Sequence, residues 1–449
     1  MTPGSLIDLS LGGLFALVLS LAYLFVVLRI KSPPASWKIL FIGFISHLLS
    51  AIGFVIFMKT YYGYLGDALF YFNTSAVIFK RLISTPFLIN ELLFTDIEDI
   101  STIRQIHLFG TTDPEVISMA RFSLPFYLLG LGLFTPTSVL LSILPFTGKY
   151  LIIKAIKNTY PNTEQSILNK VALMIFLLPT ALFWGTTILK ESFLMFALGL
   201  LFISLQMILS GKLSLPALFI VVAFYLIASL KAWVLYVFFT AILFSMTLYI
   251  LNVPRIKQDF FLRVAIILIF FIIVGFLLYF GVQEVIQEIL DNFLKLAYGF
   301  QTWHTYLGEI RGQSSYTLIT IPNLLDAQWW EFIIAFPEAL FTALYRPFII
   351  EIDRLSEALV LPENIFLLYF SFKAILNFRS IWKLIQTNPV LLSAFIFGIF
   401  SLYIVGLVSF NFGAMVRYRI PGLITLMATI SFAYFYIKNK PVQGQEFNN

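Results

Sequence analysis

Apolar runs of roughly 18 to 25 residues follow one another along most of the chain, parted by short polar breaks. A helix rising 1.5 Å per residue needs a run of that length to cross a hydrocarbon layer about 30 Å thick. The pattern predicts spans at 5–29, 38–58, 121–147, 170–189, 192–210, 213–230, 232–251, 263–281, 363–378, 388–408 and 420–437. It therefore predicts an all-α polytopic membrane protein with about eleven transmembrane helices in one membrane domain over residues 1–449. The first run has no basic region before it and no small-residue cleavage site after it, so it reads as a retained helix. An odd number of crossings puts the termini on opposite sides.

Two segments between the runs, 59–120 and 282–362, are longer than a connection requires. The first holds an amphipathic piece from Phe70 to Leu82, then the acids Asp96, Glu98 and Asp99. The second has an amphipathic start from Val285 to Leu296, an aromatic patch (Trp303, Trp329, Trp330) and a further apolar run at 332–350. A lone crossing at 332–350 would throw the later basic loops to the wrong side, and Pro337 and Pro347 interrupt it. The expected element is a re-entrant or interfacial helix.

Composition supports the lipid reading. Hydrophobic residues are 60% and charged residues 12% of the chain, too little polar surface for a water-soluble globule of this size. The formal charge of +6 does not point to nucleic acid, because the cations sit mainly in short loops. Those cations are Arg29, Lys31 and Lys38; Lys149, Lys154, Lys157 and Lys170; Lys212; Arg255, Lys257 and Arg263; Arg379 and Lys383; Lys438 and Lys440. All fall on one side, which carries only three of the 23 acids (Glu164, Asp259, Glu446). That side reads as cytoplasmic, with an external N-terminus and a cytoplasmic C-terminus in a bacterial cytoplasmic membrane. With no cysteine there are no disulfides, thiolate nucleophiles or cysteine metal sites.

The external side gathers the candidate chemistry. Asp67, in Gly66-Asp67-Ala68, stands among aromatics just past the second run; it could accept a proton from a sugar hydroxyl, or simply cap a helix. Lys190 and Glu191 lie where two apolar runs meet almost without a loop, beside Thr186 and Thr187; charges there are costly and tend to be functional or paired. Lys231, with Trp233, marks another tight external turn and reads alone as an interface anchor. Arg311 precedes a polar stretch, and Arg346 precedes Pro347, offering donors to a phosphate, carboxylate or sugar unless Glu351 pairs with it. Arg417, Tyr418 and Arg419 lead into the last run, against the charge bias, where an anionic headgroup or pyrophosphate, or a tie to external acids, would account for them. His47, His107 and His304 are scattered, and no metalloprotease, phosphate-loop or serine-elbow motif occurs. No ligand spacing demands a metal, although Asp67 with Glu191 or another external acid could take a divalent cation.

Gly66-Asp67-Ala68 with Tyr71, and Arg417-Tyr418-Arg419-Ile420-Pro421, resemble the GT-C superfamily of polytopic glycosyltransferases and related polysaccharide polymerases. Phe183-Trp184-Gly185 through Lys190-Glu191, and Tyr345-Arg346-Pro347-Phe348, are similar to multi-spanning proteins of polysaccharide loci. The resemblance implies a polyprenyl-phosphate- or pyrophosphate-linked sugar donor, a glycan or glycolipid acceptor, and transfer at the external face with inversion. It also implies Asp67 as general base, with Arg417, Arg419, Lys190 and Arg346 steadying the departing phosphate. The acid follows the second run here, where the family's follows the first. Rival expectations are a polymerase of the same chemistry, a transporter or flippase of lipid-linked glycans, and a non-catalytic membrane subunit.

Overall fold

The computed structural model describes residues 13–29, 32–61, 66–252, 316–322, 329–352 and 355–439, with isolated positions between them. Among these, every extended element is helical. Among the described residues, seven helices are long and apolar enough to cross a bilayer: Trp37–Thr60, Phe134–Thr159, Lys190–Leu209, Ser214–Lys231, Trp233–Leu251, Pro389–Val408 and Ile420–Asn439. An eighth is added if Leu361–Ile375 and Phe378–Ile385, bent by 85° at their junction, count as one. The chain is thus an all-helical, multi-pass membrane protein, with two compact units, Met1–Leu235 and Tyr236–Asn449.

In the first unit the helices are α1 (Gly13–Leu28), α2 (Trp37–Thr60), α3 (Asp67–Ser84), α4 (Ile89–Leu93), α5 (Thr102–Phe109), α6 (Pro114–Leu129), α7 (Phe134–Leu141), α8 (Ile143–Thr159), α9 (Gln165–Phe176), α10 (Pro179–Phe183), α11 (Lys190–Leu209) and α12 (Ser214–Lys231). On α12, Leu215, Leu218, Val221 and Val222 are exposed at helical spacing, the stripe expected of a helix facing acyl chains. α8 and α11 meet at backbone distance. A Cβ on Gly148 would stand 2.0 Å from the Met195 carbonyl oxygen, and one on Gly199 2.5 Å from that of Gly148. Only hydrogen fits there, so the backbones touch directly and dispersion replaces side-chain packing.

Segment 59–120 folds as a helical body in its own right. Ile78, Leu92, Ile97, Ile100, Leu108, Phe109 and Ile117 form a buried cluster among α3, α4, α5 and α6. Arg121 fastens it: the guanidinium donates to the carbonyls of Leu92 (2.8 Å), Thr95 (3.0 Å) and Glu91 (2.9 Å), the acceptors a short helix leaves open at its end. Asp113 caps α6 by accepting from the amides of Glu115 and Val116, with Pro114 at the first helical position.

The described elements of the second unit begin with α13 (Trp233–Leu251), which enters from the first, and continue with α14 (Trp329–Ile334), α15 (Phe336–Tyr345), α16 (Leu355–Ala358), α17 (Leu361–Ile375), α18 (Phe378–Ile385), α19 (Pro389–Val408), α20 (Phe412–Tyr418) and α21 (Ile420–Asn439). A Cβ on Gly406 would meet the Ala339 carbonyl oxygen at 1.9 Å, so α15 and α19 also touch at backbone distance. Asn388 caps α19 and Asn411 caps α20 through their side-chain oxygens.

Two expected spans differ, and the expected re-entrant or interfacial segment is broken in two. Over 121–147 the chain does not continue as one helix: α6 stops at Leu129, and Leu131 (φ 57°) and Gly132 (φ 68°) take left-handed backbone before α7 and α8 begin. Over 170–189, α9 ends at Phe176 because Pro179 lacks the amide a helix would need, leaving only the short α10. Over 332–350 the chain forms two short helices, α14 and α15, divided next to Pro337. The span expected at 263–281 lies outside the described residues.

Candidate functional site

Three helices of the first unit, α6, α11 and α12, bring charges together at their ends, with Tyr71 of α3 beside them. Asp67 is the first residue of α3 and is exposed. Gly66, at φ 133°, occupies the capping position, so Asp67 does not serve as the N-cap; its carboxylate instead stands in the first turn, where the helix dipole favours an anion. One turn later Tyr71 is buried, and the Lys190 ammonium lies 6.0 Å from its ring centroid. Lys190 opens α11, where the dipole disfavours a cation, and it is answered by an ion pair with Glu115 at the start of α6. Its neighbour Glu191 is wholly buried and pairs with Lys231 at the end of α12, Nζ to Oε1 3.0 Å. The result is an alternating row, Glu115, Lys190, Glu191 and Lys231, beside the aromatic face that follows Asp67.

Of the threonines expected to accompany this pair, Thr186 is bonded to the backbone, whereas the Thr187 hydroxyl is buried without a hydrogen-bond partner among the described residues. The Thr186 hydroxyl donates to the Leu182 carbonyl, and the Ser192 hydroxyl reaches the Gly185 (2.9 Å) and Thr187 (2.6 Å) carbonyls. They hold the irregular stretch between α10 and α11 and so set where Lys190 begins its helix.

In the second unit the arginines have structural partners. The Arg346 Nε donates to both Glu351 oxygens (2.9 and 3.2 Å), and the guanidinium lies 5.2 Å from the ring centroids of Tyr316 and Phe412. Burial pushes the Tyr316 phenol up, against the pull of the Arg346 charge, and its hydroxyl donates to the Gly406 carbonyl at 3.0 Å. Glu338 accepts from the amides of Ile319 (2.6 Å) and Thr320 (2.9 Å) and from the Thr320 hydroxyl. Burial pushes its carboxyl up, but these bonds and the Arg346 charge outweigh it and hold it below the ordinary range.

Arg419 is fully buried. It donates to Glu363 (2.8 Å), Asn364 (2.9 Å) and the Ala343 carbonyl (3.0 Å), tying the end of α15 to the start of α17. Its external placement as a phosphate ligand was expected because a guanidinium ahead of the last run breaks the charge bias; a buried tie to an acid relieves the same conflict. Arg417 is half-buried beside the Tyr418 ring, its guanidinium carbon 5.9 Å from the centroid. Arg311 lies outside the described residues.

One polar pair was missed. Lys149, counted above among loop cations, is fully buried within α8, its Nζ 3.1 Å from His47 Nε2 on α2. His47 Nδ1 is 2.6 Å from the Gly43 carbonyl, which only accepts, so Nδ1 carries the hydrogen and Nε2 accepts from the ammonium. The rings of Phe146 and Phe176 stand edge-on to the imidazole. A signal existed: Phe146, Lys149 and Ile153 recur at helical spacing on the buried face of α8. Among the described residues no cluster of three or more histidines or acids is arranged to hold a metal.

No protein-family model, no curated protein and no solved structure matches the chain.

Proposed function

We propose that this protein is an integral-membrane glycosyltransferase that takes a sugar from a polyprenyl-phosphate or pyrophosphate carrier and adds it to a glycan or glycolipid hydroxyl at the external face of a bacterial cytoplasmic membrane. The observation that carries the reading is the exposed Asp67 carboxylate one helical turn from Tyr71, whose ring faces the Lys190 ammonium. In the proposed step Asp67 takes the proton of the acceptor hydroxyl, whose oxygen bonds to the anomeric carbon. The bond from that carbon to the carrier oxygen breaks, and the phosphate leaves with the electron pair. Lys190 steadies that charge by exchanging Glu115, whose side chain is more than half exposed, for the departing phosphate. Glu191 and Lys231 hold the start of α11 in place. Arg346 and Arg419 have no role in this step.

Incubation of the purified protein with a panel of radiolabelled polyprenyl-phosphate and pyrophosphate sugars and acceptor glycans tests it. Transfer by wild type should fall by at least about a hundredfold in Asp67→Asn, the lower range for losing a general base. A folded wild type that transfers none of the panel would remove the enzyme reading. The second reading, a transporter of lipid-linked glycans, is favoured by the buried His47–Lys149 pair, since ionisable groups at membrane depth often mark a path. Movement of labelled lipid between leaflets, lost in Lys149→Met and unaffected by Asp67→Asn, would select it.

A further inference from the structure

We infer that a cleft between the C-terminal ends of α8 and α11 binds a phosphate-bearing group at the membrane boundary. The cleft holds about 410 Å³ and is lined by Lys157, Asn158, Gln206, Met207, Ser210 and Lys212, with no carboxylate on its wall. Both helices belong to runs long and apolar enough to span a bilayer, and both end here, so the cleft opens at the depth of lipid phosphates.

Charge decides what such a cleft takes. The Lys157 ammonium donates to the Pro33 carbonyl at 2.7 Å, which uses one of its three hydrogens and none of its charge. Among the described residues neither Lys157 nor Lys212 forms an ion pair. Two helix C-termini contribute about half a negative charge each, so two full cations leave the cleft net positive. The lysines are also not consumed in capping α11. Gly211, at φ 81°, turns the chain so that its own amide bonds the Ile208 carbonyl and the Lys212 amide bonds that of Met207.

The neutral groups are held in fixed orientation. Asn158 Nδ2 donates to Gln206 Oε1 (3.0 Å), Gln206 Nε2 to the Ser210 hydroxyl (2.8 Å), and that hydroxyl to the Gln206 carbonyl (2.9 Å). One Asn158 amide hydrogen remains beyond this chain. Two cations, neutral amides and an apolar wall at Met207 suit a phosphodiester with its acyl-bearing end against the wall. The phosphate of an anionic lipid and a soluble phosphate share this chemistry.

The test titrates full-length protein in detergent, at low ionic strength, with dihexanoyl phosphatidylglycerol, dihexanoylglycerol and inorganic phosphate, read by native mass spectrometry. The phosphatidylglycerol should bind once per chain, and dihexanoylglycerol should not bind at that site. Lys157→Gln with Lys212→Gln should weaken binding at least about tenfold, the order of one charge-assisted hydrogen bond. Asn158→Asp, which keeps both lysines and lies on the exposed surface, should weaken it too. Inorganic phosphate that displaces the lipid at submillimolar concentration assigns a soluble ligand, and failure to displace it assigns the lipid. Equal affinity in wild type and the double variant, or equal binding of dihexanoylglycerol, overturns the inference.

Discussion

Lys231→Met removes the ammonium that stands 3.0 Å from Glu191 Oε1 while keeping an unbranched side chain of similar length. Glu191 has no exposed surface, and Lys231 is 9% exposed. At 3.0 Å two unit charges attract by about 5 to 6 kcal/mol at an effective permittivity near 20. Removing one member leaves the other charge buried away from water, and the expected cost is about 3 to 5 kcal/mol. Glu191→Gln with Lys231→Met leaves neither charge in the protein interior. The pair should therefore cost less than Lys231→Met alone, the sign that a charge deprived of its counterion is what destabilises. Tryptophan fluorescence during SDS titration of the purified protein in mixed micelles reads the folded fraction. A midpoint for Lys231→Met within about 0.5 kcal/mol of wild type, the range of inconsequential surface changes, would refute the reasoning. So would a double variant whose loss equals the sum of the two single losses.

Gly148→Leu should prevent the approach of α8 to α11 and abolish monodisperse protein in size-exclusion chromatography, while Gly53→Leu, where a Cβ meets nothing within 4 Å, should leave the profile unchanged. Arg419→Lys should cost about 3 kcal/mol in the same SDS titration, because an ammonium cannot serve Glu363, Asn364 and the Ala343 carbonyl together. It should leave phosphate binding intact. Glu338→Gln tests a pH effect. The folded-state carboxyl lies below its unfolded value, so its contribution is present above about pH 4.3 and lost as pH falls through the lower folded value. The stability difference between wild type and Glu338→Gln should therefore shrink on acidification, and a difference that is flat across that window refutes the assignment.

The apolar runs at 213–230, 232–251, 388–408 and 420–437 were legible because transfer free energy and helix length act together over about 20 residues. The turn at Leu131 and Gly132 was not, since a break of four residues hardly changes an averaged hydropathy. Lys149 was assigned to a loop because a cation in an apolar run looks like its end. Its partner is 102 positions away on α2, and sequence order does not reveal such a distance. The same holds for Arg419, which reads as a conspicuous exposed charge until the fold sets it 2.8 Å from Glu363. Lys190, Glu191 and Lys231 were found because each stands at a helix end, where charge is locally out of place, but which acid meets which lysine depends on tertiary packing.

The contact of Gly148 with Gly199 falls near the middle of α11, nine residues from Lys190 and ten from Leu209. A crossing with no side chains between the backbones acts as a fulcrum. At 1.5 Å per residue the arms are about 13.5 and 15 Å long, so a tilt of 10° would carry the ends about 2.3 and 2.6 Å, in opposite directions. The row around Lys190 rides on one arm and the cleft around Gln206 on the other. The row around Lys190 and the cleft around Gln206 thus stand at opposite ends of one helix that is held at its centre by backbone contact.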